Sequence, residues 1–235
     1  MKNIVILTGS GISAESGLKT FRSEDGLWLN YRVEDVCTVE AFEKNPVFVH
    51  GFYNQLRPIM MKAEPNAAHL AITRLQEALP GITINVVTQN VDLLHEKAGS
   101  KNIYHIHGRI DECVCTNCGH LVKTPGDVEG DEPCPQCQME GMFKPNIVFF
   151  GEMPKYMDEV DKMLSACDMF IAIGTSGVVY PAAGFVRQAK WHGAKTCLFN
   201  LDPCENSSAF DEEILGKASQ TFPKFVEDLI NKVNI

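Results

Sequence analysis

The sequence predicts an α/β protein whose main domain is a Rossmann-like parallel sheet, and three observations support this prediction. Short runs that are apolar at every position recur along the chain, for example at residues 4–7 and 169–173, and such runs are typical of parallel strands buried on both faces. Helical patterns separate these runs in two blocks, roughly residues 1–33 and 82–235. The first run leads directly into a glycine-rich turn, as in nucleotide-binding sheets of this class.

The first block and the insert that follows it are predicted to form one strand and then mostly helix. A strand is expected at residues 4–7, a helix begins at 12–17, and helical patterns continue through 34–80. Within this last stretch, one helix over 47–56 is expected to end at Pro58. A second helix runs from 65 to 79 and stops before Pro80 and Gly81.

The second block alternates strands and helices around a segment of different composition. Strands are predicted at residues 82–88, 103–106, 147–150, 169–173 and 196–201. Helices are predicted at residues 91–98, 157–166, 182–191 and 222–233. Residues 111–145 are instead rich in Cys, Gly and Pro and show little periodicity. Such a composition fits a polar module that a metal holds together.

Composition places the chain among globular proteins and narrows its partners. Of the 235 residues, 45% are hydrophobic and 22% are charged. The apolar runs are far shorter than the roughly 20 residues that span a bilayer, so we expect no membrane insertion. The net charge is −9 without a cluster of Lys and Arg, which argues against nucleic acid as a partner. This charge would attract a basic peptide, or it only keeps the protein soluble.

The beginning of the chain and its cysteines predict a cytoplasmic protein. The first strand follows Met1 almost at once, with no pattern of a secretory leader. Nine cysteines, an odd number, do not suggest a disulfide framework. We also expect a monomer, because no unusual apolar stripe is left over after the predicted elements have formed a core.

A glycine-rich turn follows the first predicted strand. Gly9, Gly11 and Ala14 match the G-x-G-x-x-G/A pattern, in which glycine lets the backbone approach a pyrophosphate at a helix N-terminus. Taken alone, this pattern is as typical of a plain structural turn. The acidic residue that usually binds the ribose about 20 positions later is also missing, because Glu34 and Asp35 lie in a stretch without strand character. The segment 200–202, at the end of a late strand, is a candidate to replace it.

Four cysteines predict one structural metal ion. Cys115 and Cys118 form one C-x2-C pair, Cys134 and Cys137 form another, and 15 residues separate the pairs. Four thiolates close the coordination shell of zinc and leave no position for water; iron in a rubredoxin-like site is the alternative. The two inserts, the helical one at 34–67 and the zinc ribbon at 111–144, are expected to form a small domain, and residues 1–33, 68–110 and 145–235 are expected to form the Rossmann-like domain.

Several segments, in order along the chain, resemble the signatures of the sirtuin family, the NAD-dependent protein-lysine deacylases. They are Gly9 to Gly17 followed by Thr20-Phe21-Arg22, Thr88-Gln89-Asn90-Val91-Asp92, His107-Gly108, Phe150-Gly151-Glu152, Gly174-Thr175-Ser176, Asn200-Leu201-Asp202 and Gly216-Lys217-Ala218. The resemblance covers nearly the whole chain, and the order of the segments makes it highly specific. Within the family, the chain is most similar to the bacterial class III members.

This resemblance implies that the protein uses NAD to remove acyl groups from the lysines of proteins or peptides, giving nicotinamide and O-acyl-ADP-ribose. The acyl group would be acetyl, or succinyl, malonyl or another short acyl. An NAD glycohydrolase or an ADP-ribosyltransferase would need the same NAD site but not the peptide-docking segment 150–152. A zinc-ribbon adaptor without catalysis would not need the set formed by Asn90, Asp92 and His107.

The resemblance also implies roles for individual residues. His107 would be the catalytic base, because the ordinary pKa of histidine, about 6.5, suits proton removal near neutral pH; His105, on the same strand face, is the alternative. Asn90 and Asp92 would orient the nicotinamide and its ribose. NAD would be bound by Gly9, Ser10, Gly11, Ile12, Ala14, Glu15, Thr20, Phe21, Arg22, Trp28, Gln89, Asn90, Val91, Asp92, Gly174, Thr175, Ser176, Asn200, Leu201, Asp202 and Ala218. The acyl-lysine peptide would contact Cys37, Tyr53, Leu56, Arg57, Val148, Phe150, Gly151, Glu152, Gly177 and Val178.

Two departures from the family pattern concern the acyl group. Sirtuins that act on acidic acyl groups carry a Tyr-x-x-Arg pair, but here Tyr53 is followed by Leu56, with the arginine one place later at Arg57. One residue is about 100° of helical rotation, so Arg57 would point elsewhere. Cys37 also stands where this class usually has a small Ala. Both changes predict weaker desuccinylation and relatively good removal of neutral acyl groups such as acetyl.

Overall fold

The computed structural model describes residues 1–20, 27–28, 31–124 and 126–233. The strands are β1 (Asn3–Thr8), β2 (Leu27–Trp28), β3 (Tyr31–Arg32), β4 (Thr83–Thr88), β5 (Ile103–His105), β6 (Gly108–Cys115), β7 (Leu121–Lys123), β8 (Phe143–Ile147), β9 (Met169–Ile173), β10 (Lys195–Asn200) and β11 (Glu212–Leu215). The α-helices are α1 (Ser10–Ser13), α2 (Val33–Val36), α3 (Val39–Lys44), α4 (Pro46–Lys62), α5 (Ala67–Ala78), α6 (Leu94–Lys97), α7 (Met157–Ala166), α8 (Phe185–Trp191) and α9 (Ala218–Val233). Short 3-10 turns lie at Ala14–Ser16, Ala182–Gly184 and Ser207–Ala209.

The main sheet has six parallel strands in the order β11-β10-β9-β1-β4-β5. Every residue of β9 is buried, and β1 is buried from Ile4 onward, as expected for central strands that helices cover on both faces. The predicted parallel sheet with its Rossmann-like arrangement is confirmed. The edge strand β11 was not predicted, because its two leading glutamates, Glu212 and Glu213, are exposed and interrupt the apolar pattern.

Two apolar layers hold the helices against this sheet. Successive side chains of a strand point to opposite faces. Ile4 and Ile6 accordingly pack into one core, which contains residues of α5 and α9, whereas Val5 and Leu7 pack into the other core, with residues of α7 and α8. Helices therefore cover both faces of the sheet in the part of the chain that the structure describes.

The helical insert forms a third apolar cluster. Helix α4 begins at Pro46, with the Asn45 side chain as its N-cap, and supplies several buried side chains to this cluster. The helix continues to Lys62, so the expected end at Pro58 is wrong. Proline removes one backbone hydrogen bond in a helix interior, but burial of Met60 beyond Pro58 favours continuation of the helix.

The cysteine-rich segment contributes a three-stranded antiparallel sheet in the order β7-β6-β8. The strand predicted at residues 147–150 lies earlier, at 143–147, where it pairs with β6. Phe150 forms only an isolated parallel bridge with Thr38, and its N–H donates to the Cys37 carbonyl at 2.8 Å. The sequence of 147–150 is apolar because its alternate side chains are buried in the helical cluster.

The helix predicted at residues 91–98 is also shorter, spanning Leu94–Lys97. The Asp92 carboxylate accepts a hydrogen bond from the Leu94 N–H at 3.1 Å, so Asp92 stands outside the helix. This leaves an irregular turn between β4 and α6. None of the helices that the structure describes qualifies as a candidate membrane span.

Candidate active site

A cleft of about 800 Å³ opens at the carboxyl ends of the central strands. Its floor is formed where β1, β4, β9 and β10 end, at Gly9, Gln89, Gly174 and Leu201. The opposite wall comes from the segment after β8, which includes Phe150. Ligand sites of open α/β sheets usually lie in this position, because the loops at the carboxyl ends diverge there.

The glycine turn and the loop after β9 touch through their backbones. The Gly9 N–H donates to the Ile173 carbonyl and the Gly11 N–H to the Gly174 carbonyl, both at 3.0 Å. A Cβ atom on Gly11 would lie 2.6 Å from the Gly174 Cα, which is closer than atoms can approach. Gly174 itself has a positive φ of 64°. The glycines are therefore required by this close approach of two loops.

Asn90 and Asp92 lie side by side in the turn after β4, and both are buried. The Ser13 hydroxyl donates to Asp92 Oδ2 at 2.9 Å. The Asn90 side-chain amide donates to the Gly9 carbonyl and to Ser13 Oγ, both at 3.1 Å. Burial raises the pKa of the Asp92 carboxyl, while the hydrogen bonds from Leu94 and Ser13 oppose this shift. The turn thus presents an amide and a carboxyl group that are locked to the glycine turn.

His107 lies between β5 and β6 and lines the cleft. Its Nδ1 is 3.1 Å from the Gln89 carbonyl oxygen. Because a carbonyl can only accept, Nδ1 carries the proton, and Nε2 is the nitrogen with a free lone pair in the neutral ring. Burial lowers the pKa of His107, and the hydrogen bond to Gln89 only partly offsets the shift. The ring is therefore held neutral and able to accept a proton at Nε2.

His105 is oriented differently from His107. Its ring is buried, with Nδ1 2.9 Å from the Asn90 carbonyl oxygen and Nε2 2.7 Å from a carboxylate oxygen of Glu96. Both nitrogens of His105 therefore face acceptors beneath the cleft. Of the two histidines in the His-x-His segment, His107 is the one that lines the cleft.

Most of the residues predicted for the site come together in this cleft. Those that line it are Gly9, Ser10, Gly11, Ala14, Glu15, Thr20, Cys37, Gln89, Asn90, Val91, Asp92, His107, Val148, Phe150, Gly151, Glu152, Gly174, Thr175, Ser176, Val178, Asn200, Leu201, Asp202 and Ala218. Ile12 is instead buried in the core below the sheet, and Gly177 lines a small neighbouring cavity. Phe21, Arg22 and the Trp28 side chain lie outside the described residues.

Asn200, the last residue of β10, is a predicted residue whose side chain pairs with the backbone of the loop after β9. The Asn200 side chain accepts from the Thr175 N–H at 3.0 Å and donates to the Thr175 carbonyl at 2.7 Å. This double contact fixes the loop after β9 against β10. Leu201 and Asp202, which follow, are exposed at the cleft.

One end of the cleft opens into the apolar cluster of the helical insert. The residues that belong to both are Leu18, Cys37, Met60, Val91, Ile147 and Phe149. Cys37 Sγ lies 3.4 Å from the hydroxyl of the fully buried Tyr53, and burial raises the pKa of the Cys37 thiol to about 11. We refer to the part of the cleft lined by these six residues as the apolar recess.

Tyr53, Leu56 and Arg57 lie behind the apolar recess and do not line the cleft. The Arg57 guanidinium is buried and donates to the Ile110 carbonyl at 3.1 Å and to the Gly126 carbonyl at 2.9 Å. It therefore points toward the cysteine-rich segment. Burial away from water lowers the pKa of Arg57.

Several residues of the cleft were not predicted from the sequence. Ser13 lies inside the glycine-rich signature, and its polar side chain among glycines was a usable signal. Leu18, Met60 and Ile147 gave no such signal, because in the sequence they resemble any other core residue. Tyr180 and Glu205 also line the cleft without having been predicted, whereas Lys217, which lines it too, belongs to the Gly216-Lys217-Ala218 segment singled out in the sequence.

The four predicted metal ligands converge at the end of β6 and in the loop before β8. The sulfur atoms of Cys115, Cys118, Cys134 and Cys137 all lie within 4.8 Å of one another. The Cys115–Cys137 and Cys118–Cys134 pairs are each 3.7 Å apart. Zinc with bonds of about 2.3 Å to four sulfurs has tetrahedral edges of about 3.8 Å. The donor set and its spacing therefore fit one tetrahedral zinc ion.

Comparison with known proteins finds relatives of this chain that are named NAD-dependent protein deacylases. The NAD-dependent protein deacylase of Vibrio vulnificus strain YJ016 is 51% identical over 231 residues, which cover 97% of this chain and 94% of that protein. The protein of the same name from Escherichia coli strain K12 is 50% identical over 229 residues, covering 97% of this chain and 82% of that protein.

Solved structures agree with these relatives. An ADP-ribose complex of a Sir2 homologue matches with a TM-score of 0.90 at 34% identity, covering 100% of this chain and 94% of that chain. An NAD complex of a Sir2 homologue matches with a TM-score of 0.88 at 35% identity, covering 99% and 90%. Residues 9–181 match the Sir2 family. This chain therefore belongs to the Sir2 family.

Proposed function

We propose that the protein removes acyl groups from protein lysines in an NAD-dependent reaction that yields nicotinamide and O-acyl-ADP-ribose. The observation that carries the proposal is the placement of a neutral histidine, His107, in the same cleft as the buried Asn90 and Asp92. The name of the relatives, NAD-dependent protein deacylase, and the NAD and ADP-ribose complexes of the structural neighbours support it.

The residues around the glycine turn fit NAD. Backbone N–H groups at the start of α1 and the turns at Gly174–Ser176 line the floor of the cleft and would hold the pyrophosphate. Leu201 and Asp202, exposed at the end of β10, would contact the adenosine half. When bound, NAD supplies an anomeric carbon from which nicotinamide departs and a ribose hydroxyl that receives the acyl group.

The turn after β4 would bind the nicotinamide end. The carboxamide of nicotinamide carries both donors and acceptors, and Asn90 and Asp92 offer complementary groups at a position fixed by Ser13. Such a preorganised pair costs little reorganisation during the reaction. Gln89, whose carbonyl orients His107, also lines the cleft and would contact the ribose.

His107 would act as the general base. Its Nδ1–H is held by the Gln89 carbonyl, so Nε2 would take the proton from the ribose hydroxyl. The lowered pKa keeps this nitrogen unprotonated near neutral pH. The acyl-lysine peptide would lie extended along Phe150, Gly151 and Val178, and the Val148 carbonyl would accept from the lysine N–H.

The apolar recess favours short neutral acyl groups such as acetyl. Lys19 and Lys217 are the lysines among the described residues that line the cleft, and neither belongs to the recess. Lys144, which lies over the Phe149 ring, is bound by the Glu152 carboxylate at 2.5 Å. A succinyl or malonyl carboxylate would be buried in the recess without an unpaired cation, and burying such a charge is costly.

A zinc ion on the four cysteines would be structural. The ligands close its coordination shell, and the zinc ribbon has only a small apolar cluster of its own, so the ion would stabilise the ribbon. It would take no part in the chemistry at His107.

The test of the function is a count of two products. The protein is incubated with NAD and peptides that carry acetyl-, butyryl- or succinyl-lysine, and both nicotinamide and deacylated peptide are measured. We expect a one-to-one ratio with the acetyl peptide and no turnover with His107→Ala. Nicotinamide release that is independent of the acyl peptide would contradict the proposal and indicate an NAD glycohydrolase.

A further inference from the structure

The mechanism proposed above leaves one prominent histidine without a role. His105 lies two residues before His107, but its ring is buried beneath the cleft and 5% exposed. Its Nδ1 faces the Asn90 carbonyl oxygen at 2.9 Å. Because that oxygen only accepts, the Nδ1 of His105 carries the proton and donates it to Asn90.

This hydrogen bond holds a turn that the main sheet does not hold. The turn that carries Asn90 and Asp92 follows the end of β4, beyond the parallel ladder. The Asn90 N–H donates to the Thr88 hydroxyl at 3.0 Å, and the Asn90 carbonyl accepts from His105. Side chains therefore fix both backbone polar groups of Asn90 from the sheet side, while the Asn90 side-chain amide points to the glycine turn.

The other nitrogen of His105 is anchored in turn. Its Nε2 lies 2.7 Å from Glu96 Oε1 on α6, and the same oxygen accepts from Arg109 Nη1 at 2.9 Å. Arg109, on β6, is itself held by both carboxylate oxygens of Asp111 at 3.0 and 3.1 Å. The chain of contacts from Asp111 to Asn90 thus ties three elements, β6, α6 and β5, to one carbonyl group in the turn after β4.

We infer that His105 is a positioning residue that sets the orientation of the turn formed by Asn90, Val91 and Asp92 through its hydrogen bond to the Asn90 carbonyl. Glu96 and Arg109 fix the ring of His105 from the opposite side. This inference rests on the proposed function, because it assigns Asn90 and Asp92 to the nicotinamide end of NAD. Groups that orient the residues of a site in this way affect the ligand affinity and the reaction rate, although they do not contact the ligand.

Two substitutions of His105 test the contacts of its two ring nitrogens separately. His105→Asn keeps an N–H at the position of Nδ1, so it can still donate to the Asn90 carbonyl. His105→Gln places its N–H at the position of Nε2, so it can reach Glu96 but not Asn90. We expect His105→Asn to keep the KM for NAD within about threefold of the wild type. We expect His105→Gln to raise it about tenfold, or about 1.4 kcal/mol, with no change in the KM for the acetyl peptide.

The choice of KM makes the result independent of the folded fraction. A variant that only folds poorly lowers the concentration of active enzyme and hence the apparent kcat, whereas the KM of the folded molecules is unchanged. The inhibition constant of nicotinamide is measured as well, and we expect it to rise together with the KM for NAD in His105→Gln. Lys195→Gln is the matched control, since it removes an exposed ion pair with Glu212 that has no part in the chain of contacts from Asp111 to Asn90.

The results that overturn the inference are distinct from those that overturn the proposed function. Equal KM values for NAD in the Asn and Gln variants would overturn the role of the Asn90 contact. A wild-type protein that does not deacylate with NAD would overturn the proposed function instead. In that case, the 15N NMR signals of the His105 ring still test the contact with Asn90. The signals are assigned by their disappearance in His105→Asn. A protonated Nδ1 is expected, and an unprotonated Nδ1 would overturn the hydrogen bond to Asn90.

Discussion

The chemistry of the cleft depends on a pair of histidines that the chain places only two residues apart. His107 lines the cleft with one nitrogen free, whereas both nitrogens of His105 face acceptors in the interior. The difference comes from neighbours that are distant in sequence, Gln89 for one ring and Glu96 for the other. The role of each histidine therefore depends on which hydrogen-bond acceptors the fold places beside its ring.

The lowered pKa of His107 predicts the acidic side of the pH profile. Because burial lowers the pKa in the folded protein, the neutral, proton-accepting ring persists below the ordinary pKa of about 6.5. Activity should therefore be retained as pH falls to 6.5 and be lost only at lower pH. The measurement is kcat/KM for NAD between pH 5 and 8. An acidic limb centred above 6.5 would contradict it, and the exposed His192→Asn variant should leave the limb unchanged.

The acyl preference predicts a gain of function at Leu56. Leu56 lies one turn after Tyr53 on α4 and is buried behind the apolar recess. Leu56→Arg would bring a guanidinium next to the recess, where a succinyl carboxylate can pair with it. We expect the ratio of desuccinylation to deacetylation to rise by about tenfold, the equivalent of one charge-assisted hydrogen bond. Leu56→Gln, of similar length but uncharged, is the control, and an equal rise in this variant would refute the charge-based explanation.

The sequence was informative for residues that share a short motif and uninformative for residues that the fold brings together. The glycine turn, the Asn90–Asp92 segment and His107 each carry a local pattern, and the structure places them around one cleft. Leu18 and Met60 also line that cleft, but nothing distinguishes them in the sequence from other apolar core residues. Their contribution depends on how the helical insert packs, which no local pattern encodes.

At the scale of elements, strand ends and turns decide the shape of the site. The two parallel strands predicted as 169–173 and 82–88 were placed to within a residue, because the first run is apolar at every position and the second is rich in β-branched residues. The strand predicted at 147–150 was misplaced because its apolar residues pack against the helical insert rather than in a ladder. Burial and strand pairing leave the same signature in a sequence, so the two could not be separated there.

Two glycine-to-alanine substitutions should change the free energy of unfolding in opposite directions, because Gly11 lies in the close contact between the glycine turn and the loop after β9 whereas Gly51 does not. Gly11→Ala would place its Cβ 2.6 Å from the Gly174 Cα, and we expect it to lower the free energy of unfolding by about 2 kcal/mol. Gly51→Ala, in the interior of α4, meets nothing within 4 Å and should raise it by up to about 1 kcal/mol, because alanine favours the helix.

Thermal unfolding of the two glycine variants measures both effects. For a chain of this length, each kcal/mol corresponds to a shift of about 2–4 °C in Tm. The NAD affinity should fall in Gly11→Ala and stay unchanged in Gly51→Ala. A Gly11→Ala protein with the stability and NAD affinity of the wild type would show that the loops can separate without cost.

At the scale of the whole molecule, buried histidines link the stability of the fold to pH. His50 Nε2 donates to the Phe143 carbonyl of the cysteine-rich sheet at 3.0 Å, while His69 and His95 pack edge to face with their ring centroids 5.1 Å apart. Burial lowers the pKa of all three, that of His69 to about 4. His50 links α4 to β8, and His95, whose Nε2 lies 2.9 Å from the Thr8 hydroxyl, links α6 to β1. Each of the three rings must stay neutral to remain buried.

The sign of the effect follows from proton binding. Between pH 6.5 and about 4, the unfolded chain protonates His69 while the folded protein does not, so stability falls as pH falls through this window. For His69 alone, the expected loss between pH 7.5 and pH 5.0 is about 2 kcal/mol. His50 and His95 shift in the same direction and add to it. Urea unfolding at the two pH values measures the total.

His69→Gln isolates the share of one ring. His69 occupies the third position of α5 and accepts from the Asn66 N–H in a capping box, a place where glutamine is a usual residue. This variant should keep the cap but lose about 2 kcal/mol of the difference in unfolding free energy between pH 7.5 and 5.0. His192→Gln, at an exposed position, should keep the full difference. An unchanged difference in His69→Gln would mean that the folded protein already takes up a proton at this site above pH 5, and that the interior beneath the cleft is more accessible to water than its packing indicates.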